Sequence, residues 1–255
     1  MKMLRNWYLQ SSVALIGSIA LIALVLPFQV IPALADSNPN PGVLPPQSLS
    51  FGKTYGGWSN AWWQWALSIP ASVNPLFDTT GANCGEGQSG PVWFLAGTTG
   101  GPPVTRSCTV PAGKALFFPI VNFVNNNLGI PGSTVCPPTT FTVDQLHQQL
   151  DGLIKSVTTL EAQVDTVSIQ DIQSYRAGTD NSTFSITLPS DNFFSKITGG
   201  ACPIPAGTYE EQVSDGYYLM LAPLKPGTHT IHFIGATSPP SPFTTEVTYN
   251  LTVGS

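Results

Sequence analysis

The stretch TTEVTYNLTV, residues 244–253, alternates apolar and polar side chains with a period of two. Its odd-numbered residues from 247 to 253 are apolar, and its even-numbered residues from 246 to 252 are polar or charged. Side chains of a β-strand point alternately to the two faces of a sheet, so this pattern predicts a strand with one buried face. The same period is present in TLEAQVDT (159–166) and TFSITL (183–188).

Short apolar segments elsewhere in the chain are bounded by glycine and proline, which favour turns. They are PVWFLAG (91–97), the strand–turn–strand sequence CTVPAGKALFFPIVNF (108–123), YYLMLA (217–222) and HTIHFIG (229–235). The sequence PLKPG (223–227) is predicted to join the last two as a turn. Several short strands with such turns predict a mainly β chain with minor helix, arranged as an antiparallel β-sandwich.

One amphipathic helix is predicted near residues 143–157. Thr142 followed by Gln145 forms a capping box, which marks the start of a helix. Apolar residues then recur at helical spacing, and polar residues occupy the other side. These apolar residues are Val143, Leu146, Leu150, Leu153, Ile154 and Val157.

A second, shorter helix is predicted in WSNAWWQWALSIP (58–70), which holds four of the six tryptophans of the chain. Because each helical residue turns by about 100°, Trp58, Trp62 and Trp65 fall within roughly 60° of one another. This stripe is predicted to be structural core that packs on a sheet. Pro70 disfavours helix at the residue before it, so the helix should end there.

Trp63 lies about 100° away from Trp62 on the predicted helix. It is either packed on a second element or partly exposed beside Asn60 and Gln64. An exposed indole next to amide groups could stack on a sugar ring, because indole offers a flat apolar face and amides offer hydrogen bonds. Trp63, Asn60 and Gln64 are therefore the candidate ligand-binding residues.

The N-terminus has the pattern of a signal peptide. A charged start precedes the apolar run of residues 12–28 and the small-residue site Ala33-Leu34-Ala35. Cleavage near Ala35 would deliver the chain to the cell surface, the periplasm or the extracellular space, and an uncleaved anchor is the alternative. Residues 36–50 are rich in proline and serine and predict a flexible leader. The remainder is expected to be two parts, 51–140 and 141–255, or one continuous domain.

All four cysteines follow the signal segment, and an even number in an exported chain predicts disulfides. We favour the pairs Cys84–Cys108 and Cys136–Cys202. Metal binding is the alternative, but no Cys-x-x-Cys spacing is present and the three histidines are scattered. No metal or other cofactor is therefore expected.

The chain is weakly acidic, with nine basic and fourteen acidic residues and a formal net charge of −5. It has no basic cluster that could neutralise phosphates, so nucleic acid is not expected as a partner. His229 and His232 would point to opposite faces of one strand, so they are not expected to share a metal ion. The oligomeric state is left open by the sequence.

Paired carboxylates are the remaining route to catalysis, because two of them a few ångströms apart suffice for glycoside hydrolysis. The candidates are Asp78, Glu86, Glu210, Glu211 and Asp215. No catalytic serine or cysteine arrangement accompanies them. The sequence thus predicts an exported, non-catalytic binding or structural module, with carbohydrate as the candidate ligand. The alternatives are a secreted carbohydrate-active hydrolase and a self-assembling surface subunit whose C-terminal strand offers a free edge.

The chain also resembles a family of uncharacterised secreted microbial proteins. The resemblance rests on residues 58–70, 90–97 and 108–120, on SYR (174–176), and on FSITLPSDNFF and DGYYLMLAPLKPGTHTIHF (184–194 and 215–233). The stretch LKPGTHTIHF is also similar to the turn-to-strand corner of immunoglobulin-like domains. The family resemblance implies a secreted location, a tryptophan-rich N-terminal segment and an immunoglobulin-like C-terminal half, and it implies no activity or site residue.

Overall fold

The computed structural model describes residues 40, 42–180 and 182–254 of the chain. The signal peptide predicted for residues 1–35 lies outside the described residues. None of the described helices is long and apolar enough to cross a membrane. The helices are α1 (Tyr55–Ser68), α2 (Val143–Lys155) and α3 (Phe193–Ile197). The strands are β1 (Val92–Phe94), β2 (Val104–Val110), β3 (Ala115–Asn125), β4 (Val157–Val164), β5 (Val167–Ser168), β6 (Arg176–Gly178), β7 (Phe184–Leu188), β8 (Gly207–Leu221), β9 (Gly227–Thr237) and β10 (Phe243–Val253).

These strands form two five-stranded sheets, which confirms the prediction of a mainly β chain. The first sheet has the order β1-β3-β8-β6, and β7 also pairs with β8. The second sheet has the order β2-β10-β9-β4-β5. Each sheet contains strands from both sides of residue 140. The β1–β3 and β2–β10 pairs are parallel, and the other pairs are antiparallel. Both sheets are therefore mixed instead of purely antiparallel.

Two of the predicted turns move the chain from one sheet to the other. The Pro111-Ala112-Gly113 turn leads from β2 in the second sheet to β3 in the first. The 223–227 turn leads from β8 in the first sheet to β9 in the second. Neither turn makes a hairpin, so β2 does not pair with β3 and β8 does not pair with β9.

Strand β3 is the centre of the core, because its first seven residues are all buried. On one side, the ring of Phe117 stacks on Tyr218 of β8 with 5.2 Å between centroids. On the other side, Phe118 stacks on Phe233 of β9 at 5.3 Å. A strand buried on both faces has a continuous apolar sequence instead of an alternating one, as ALFFPIV does.

Helix α1 covers the first sheet by packing on β6, β7 and β8. Thr54 caps it by accepting a hydrogen bond from Gly57 N at 3.1 Å. The helix approaches the sheet so closely that a Cβ atom on Gly56 would lie 2.4 Å from Gly178 O. This approach buries Trp58, Trp62 and Trp65, and each indole Nε1 donates to a backbone carbonyl. The acceptors are Ser50 O, Leu95 O and Glu86 O at 2.8, 3.0 and 2.9 Å.

Helix α2 confirms the prediction of an amphipathic helix that begins after Thr142. The capping box forms in both directions, since Thr142 Oγ1 accepts from Gln145 N and Gln145 Oε1 accepts from Thr142 N. Leu146 and Leu150 are buried against Val213 of β8. The helix ends at Lys155, two residues before the predicted boundary, because β4 begins at residue 157.

The segment predicted as a flexible leader at 36–50 makes specific contacts over the part that the structure describes. Leu44 N donates to Met220 O at 2.8 Å, and Ala222 N donates to Gly42 O at the same distance. Residues 42–44 therefore run along β8 like a short additional strand. Backbone hydrogen bonds do not require a side-chain period, so a composition without a period does not exclude this pairing.

The two disulfides of the structure join Cys84 to Cys108 and Cys136 to Cys202, which is the pairing that the sequence analysis favours. The first disulfide ties the 78–90 loop to β2. The second ties the long loop after β3 to the segment between α3 and β8. Both bonds close loops of the unfolded chain and so lower its entropy.

The 78–90 loop also covers one outer strand of each sheet, β1 in the first and β2 in the second. The side-chain amide of Gln88 accepts from Phe94 N and donates to Phe94 O, at 2.9 and 2.8 Å, as a neighbouring strand would. Ser107 N of β2 donates to Thr80 O at 2.8 Å. The C-terminal strand β10 lies between β2 and β9, so the free edge expected there for self-assembly is absent.

Candidate functional site

The described part of the chain contains a cavity of about 260 Å³ beside the middle of α1, which we call the aromatic cavity. Residues from α1, β3, α3 and β10 converge there, together with two loops. Its aromatic lining consists of Trp62, Trp63, Phe123, Phe193, Phe194 and Phe243. Small-molecule sites are typically concave and mostly apolar, with few polar groups, and this cavity has that composition.

Local sequence features hold these rings in place. Trp62 and Trp63 meet edge to face, with 5.0 Å between centroids, because adjacent helical residues diverge by about 100°. Asn192 caps α3 by accepting from Ser195 N at 3.0 Å and also donates to Ile204 O at 2.8 Å. This buried asparagine anchors the short helix that carries Phe193 and Phe194 of the cavity wall.

Trp63 is not the exposed sugar-stacking platform that was considered from the sequence. Its side chain is only 6% exposed, because it packs between Trp62 and the cavity. Asn60 Oδ1 accepts from two buried hydroxyl groups below the helix, and the exposed Gln64 donates to Ser185 O. The three residues therefore form no common exposed site, and Trp63 is the one that lines the cavity.

The aromatic cavity contains no ionisable side chain in its lining. Its polar members are Thr98, Thr99 and Asn122. The Thr98 hydroxyl is engaged, since it donates to Thr245 Oγ1 at 3.2 Å and accepts from Gly100 N. A ligand would therefore meet mainly aromatic carbon.

A buried polar group lies beneath the cavity floor. Burial raises the pKa of Tyr218, despite the nearby side chains of Ser59, Asn122 and Trp63, so the hydroxyl stays uncharged at neutral pH. Tyr218 Oη, Trp63 Nε1 and Asn122 Nδ2 make no well-formed hydrogen bond to another described residue. All three atoms are closed off from solvent, so the polar floor is sealed from the space above it.

None of the carboxylates considered for catalysis lines the aromatic cavity. Burial raises the pKa of Asp78, but hydrogen bonds from Asn83, Thr80 and Gly81 outweigh it and hold this pKa below its usual value. Glu86, Glu210 and Glu211 are exposed, and Asp215 pairs with Arg176.

Two carboxylates do converge elsewhere, because Arg176 Nη2 binds both Asp215 at 2.6 Å and Asp151 at 3.0 Å. The pKa of Asp151 is lowered by hydrogen bonds from Lys155 and Arg176. A general acid needs the opposite, a raised pKa. This cluster therefore works as an ion-pair network that joins α2 to β6 and β8.

The two histidines of β9 have separate partners, as their spacing predicts. His229 Nδ1 lies 2.9 Å from Asp165 Oδ2, and its Nε2 lies 2.9 Å from Lys225 O. His232 Nδ1 lies 2.9 Å from the Thr248 hydroxyl. Among residues 40, 42–180 and 182–254, no group of three or more His, Cys, Asp or Glu side chains could hold a metal ion.

The His229–Asp165 contact predicts a pH-dependent stability. The hydrogen bond to Asp165 raises the pKa of His229 above its usual value of 6.5. The contact therefore contributes fully to the free energy of unfolding below pH 6.5, and this contribution is lost as the pH rises through the folded-state pKa. We expect His229→Gln to lower the melting temperature more at pH 5.5 than at pH 8.5, as followed by circular dichroism. Asp165→Asn should show the same trend. An equal loss at both pH values would contradict this prediction.

Of the six aromatic side chains in the cavity lining, the sequence pointed to Trp62 and Trp63 but not to the four phenylalanines. The available signal was DNFF (191–194), where a capping asparagine precedes two adjacent apolar rings. Phe123 and Phe243 come from distant strands and carry no local signal. Comparison of the chain with protein-family models, curated proteins and solved structures finds no match, so no relative assigns a ligand to this cavity.

Proposed function

We propose that this protein is an exported, disulfide-stabilised, non-catalytic binding module of the cell surface or extracellular space, and that it holds a small ligand in the aromatic cavity. The observation that carries the proposal is a cavity of about 260 Å³ with six aromatic and no ionisable side chains in its lining. Apolar cavities of about 150 Å³ already bind single aromatic rings. The volume here therefore suits a ligand of about two rings.

Export is supported by the charged start, the apolar run and the small-residue site at the N-terminus. The two disulfides are compatible with an oxidising compartment, where such bonds persist. The two sheets are proposed to form the sandwich expected from the sequence, and the stacking of Phe118 on Phe233 supports face-to-face packing.

A non-catalytic role is favoured over a hydrolase because the acidic groups and the cavity are separate. The closest pair of carboxylates shares the Arg176 guanidinium, and its members do not line the cavity. A self-assembling subunit receives less support, since β10 is an inner strand and Gln88 and Thr80 cover the outer strands β1 and β2.

The proposal is tested by calorimetric titration of the purified protein with three separate probes: 1-naphthol, 1-naphthoate and glucose. We expect at least one probe to bind with a stoichiometry near one. Thr99 is an exposed residue of the cavity lining, so Thr99→Trp should block the cavity with little effect on folding. The probe that binds should lose at least tenfold in affinity to this variant.

Thr105→Trp is the matched control, because Thr105 is an exposed threonine of β2 that does not line the cavity. Its affinity for the same probe should equal that of the wild type. Absence of binding by all three probes, or binding that Thr99→Trp leaves unchanged, would refute the proposed site.

A further inference from the structure

We infer that the ligand of the aromatic cavity is a small molecule with a mainly apolar body, and is neither an organic anion nor a sugar. This inference rests on the proposed function, because it specifies the ligand class of the same cavity. It follows from the charge of the lining, from the hydrogen-bonding groups that remain free in the lining, and from the apolar mouth.

The first argument is the absence of a counter-charge. The lining contains no Lys, Arg, His, Asp or Glu side chain, and burial keeps the Tyr218 hydroxyl beneath the floor in its neutral form. An ionised carboxylate that entered would lose hydration, find no positive charge and face the negative π-faces of the aromatic rings. A neutral molecule of the same shape avoids this penalty and gains the burial of its apolar surface.

The second argument is the small number of polar partners. The Thr98 hydroxyl already donates to Thr245 Oγ1 and accepts from Gly100 N, and the Trp63 and Asn122 nitrogens are sealed below the floor. Thr99 is the one exposed polar side chain of the lining, and the half-buried Asn122 adds a carboxamide oxygen. A sugar would bury several hydroxyl groups without partners, whereas a ligand with one hydroxyl can keep it at the mouth near Thr99.

The third argument is the mouth of the cavity. Ile197 ends α3, lines the cavity and is 50% exposed, although isoleucine is usually buried. The neighbouring ring of Phe194 is partly buried beside it. A ligand that enters along these side chains meets apolar surface before it reaches the aromatic walls.

The test compares 1-naphthol, which is neutral at pH 7, with 1-naphthoate, which has the same rings and a negative charge, and with glucose. We expect 1-naphthol to bind at least tenfold more tightly than either of the others. Ile197→Arg places a positive charge at the exposed mouth. It should improve the affinity for 1-naphthoate severalfold and so reduce the preference of the cavity for 1-naphthol over 1-naphthoate.

Val135→Arg is the matched control, because Val135 is 73% exposed and does not line the cavity. This variant adds the same charge and should leave the affinities for both naphthalene probes unchanged. Equal binding of 1-naphthol and 1-naphthoate, or preferential binding of 1-naphthoate or glucose, would overturn the ligand class while the proposed function stands. No binding by any probe would overturn the proposed function itself, and the ligand class with it.

Discussion

Replacement of Arg106 by leucine should lower the free energy of unfolding by about 3–5 kcal/mol, because it leaves several buried acceptors without a donor. Arg106 of β2 is only 1% exposed. Its Nε donates to Asp78 O at 2.7 Å, and its Nη1 donates to Ala96 O and Gly97 O at 2.7 and 3.0 Å. The guanidinium also donates to the Tyr249 hydroxyl at 2.8 Å.

This arginine joins segments that are not paired with one another as strands of a sheet. The Asp78 loop, the residues after β1 and the side chain of Tyr249 all meet at its guanidinium. Asp78 O and Gly97 O lose this donor, while Ala96 O keeps the Tyr249 hydroxyl at 2.9 Å. Each acceptor that is left buried and unpaired costs about 1–3 kcal/mol, so these losses outweigh any gain from burying leucine. The expected loss should appear as a drop in melting temperature of roughly 6–20 °C for a domain of this size.

Arg176→Leu is the control, because it makes the same substitution at an arginine whose side chain is 38% exposed. Its ion pairs with Asp151 and Asp215 are near the surface, so the loss should be about 1 kcal/mol or less. Denaturant unfolding followed by fluorescence measures both variants. A loss for Arg106→Leu no larger than that for Arg176→Leu would show that the buried network does not hold these segments together.

Trp62→Ala should destabilise the protein by about 3–5 kcal/mol, as large-to-small changes of buried tryptophan do. Trp62 is fully buried, contacts the rings of Trp63 and Trp65, and donates to Leu95 O at 3.0 Å. Alanine leaves a cavity between α1 and the first sheet and removes the donor for that carbonyl. Thermal unfolding by calorimetry or circular dichroism measures the loss.

Gln64→Ala is the matched control on the same helix, because Gln64 is exposed and its one hydrogen bond to Ser185 O is near the surface. We expect it to change stability by about 0.5 kcal/mol or less. Similar melting temperatures for Trp62→Ala and Gln64→Ala would contradict the assignment of the tryptophan stripe to the core.

Local features of the fold could be predicted because each depends on nearby residues. The period of two in 244–253 marks β10, and the capping box at Thr142 marks the start of α2. The 111–113 and 223–227 turns are also where the sequence places them. The partners of the strands could not be predicted, because a glycine–proline turn does not specify whether the chain returns to the same sheet or crosses to the other one.

The candidate site was predictable only in part. Helical geometry separated Trp63 from the other three tryptophans, and Trp63 does line the cavity. The sequence left open whether Trp63 is buried or exposed, because α3 and β10, which line the same cavity, lie more than 100 positions away. Asn60 was a candidate ligand-binding residue on sequence grounds, but its side chain binds the hydroxyl groups of Thr179 and Ser214.

By itself, the sequence determined the two-residue period of strands such as β10, the start of α2 at its capping box and the end of α1 before Pro70. Those properties follow from neighbours along the chain, whose spacing controls which side chains share a face. Only the tertiary structure decided which strands pair, that β10 is an inner strand, and that an uncharged cavity forms where α1, β3, α3 and β10 meet. Those properties depend on contacts between residues far apart in sequence, which the local pattern does not encode.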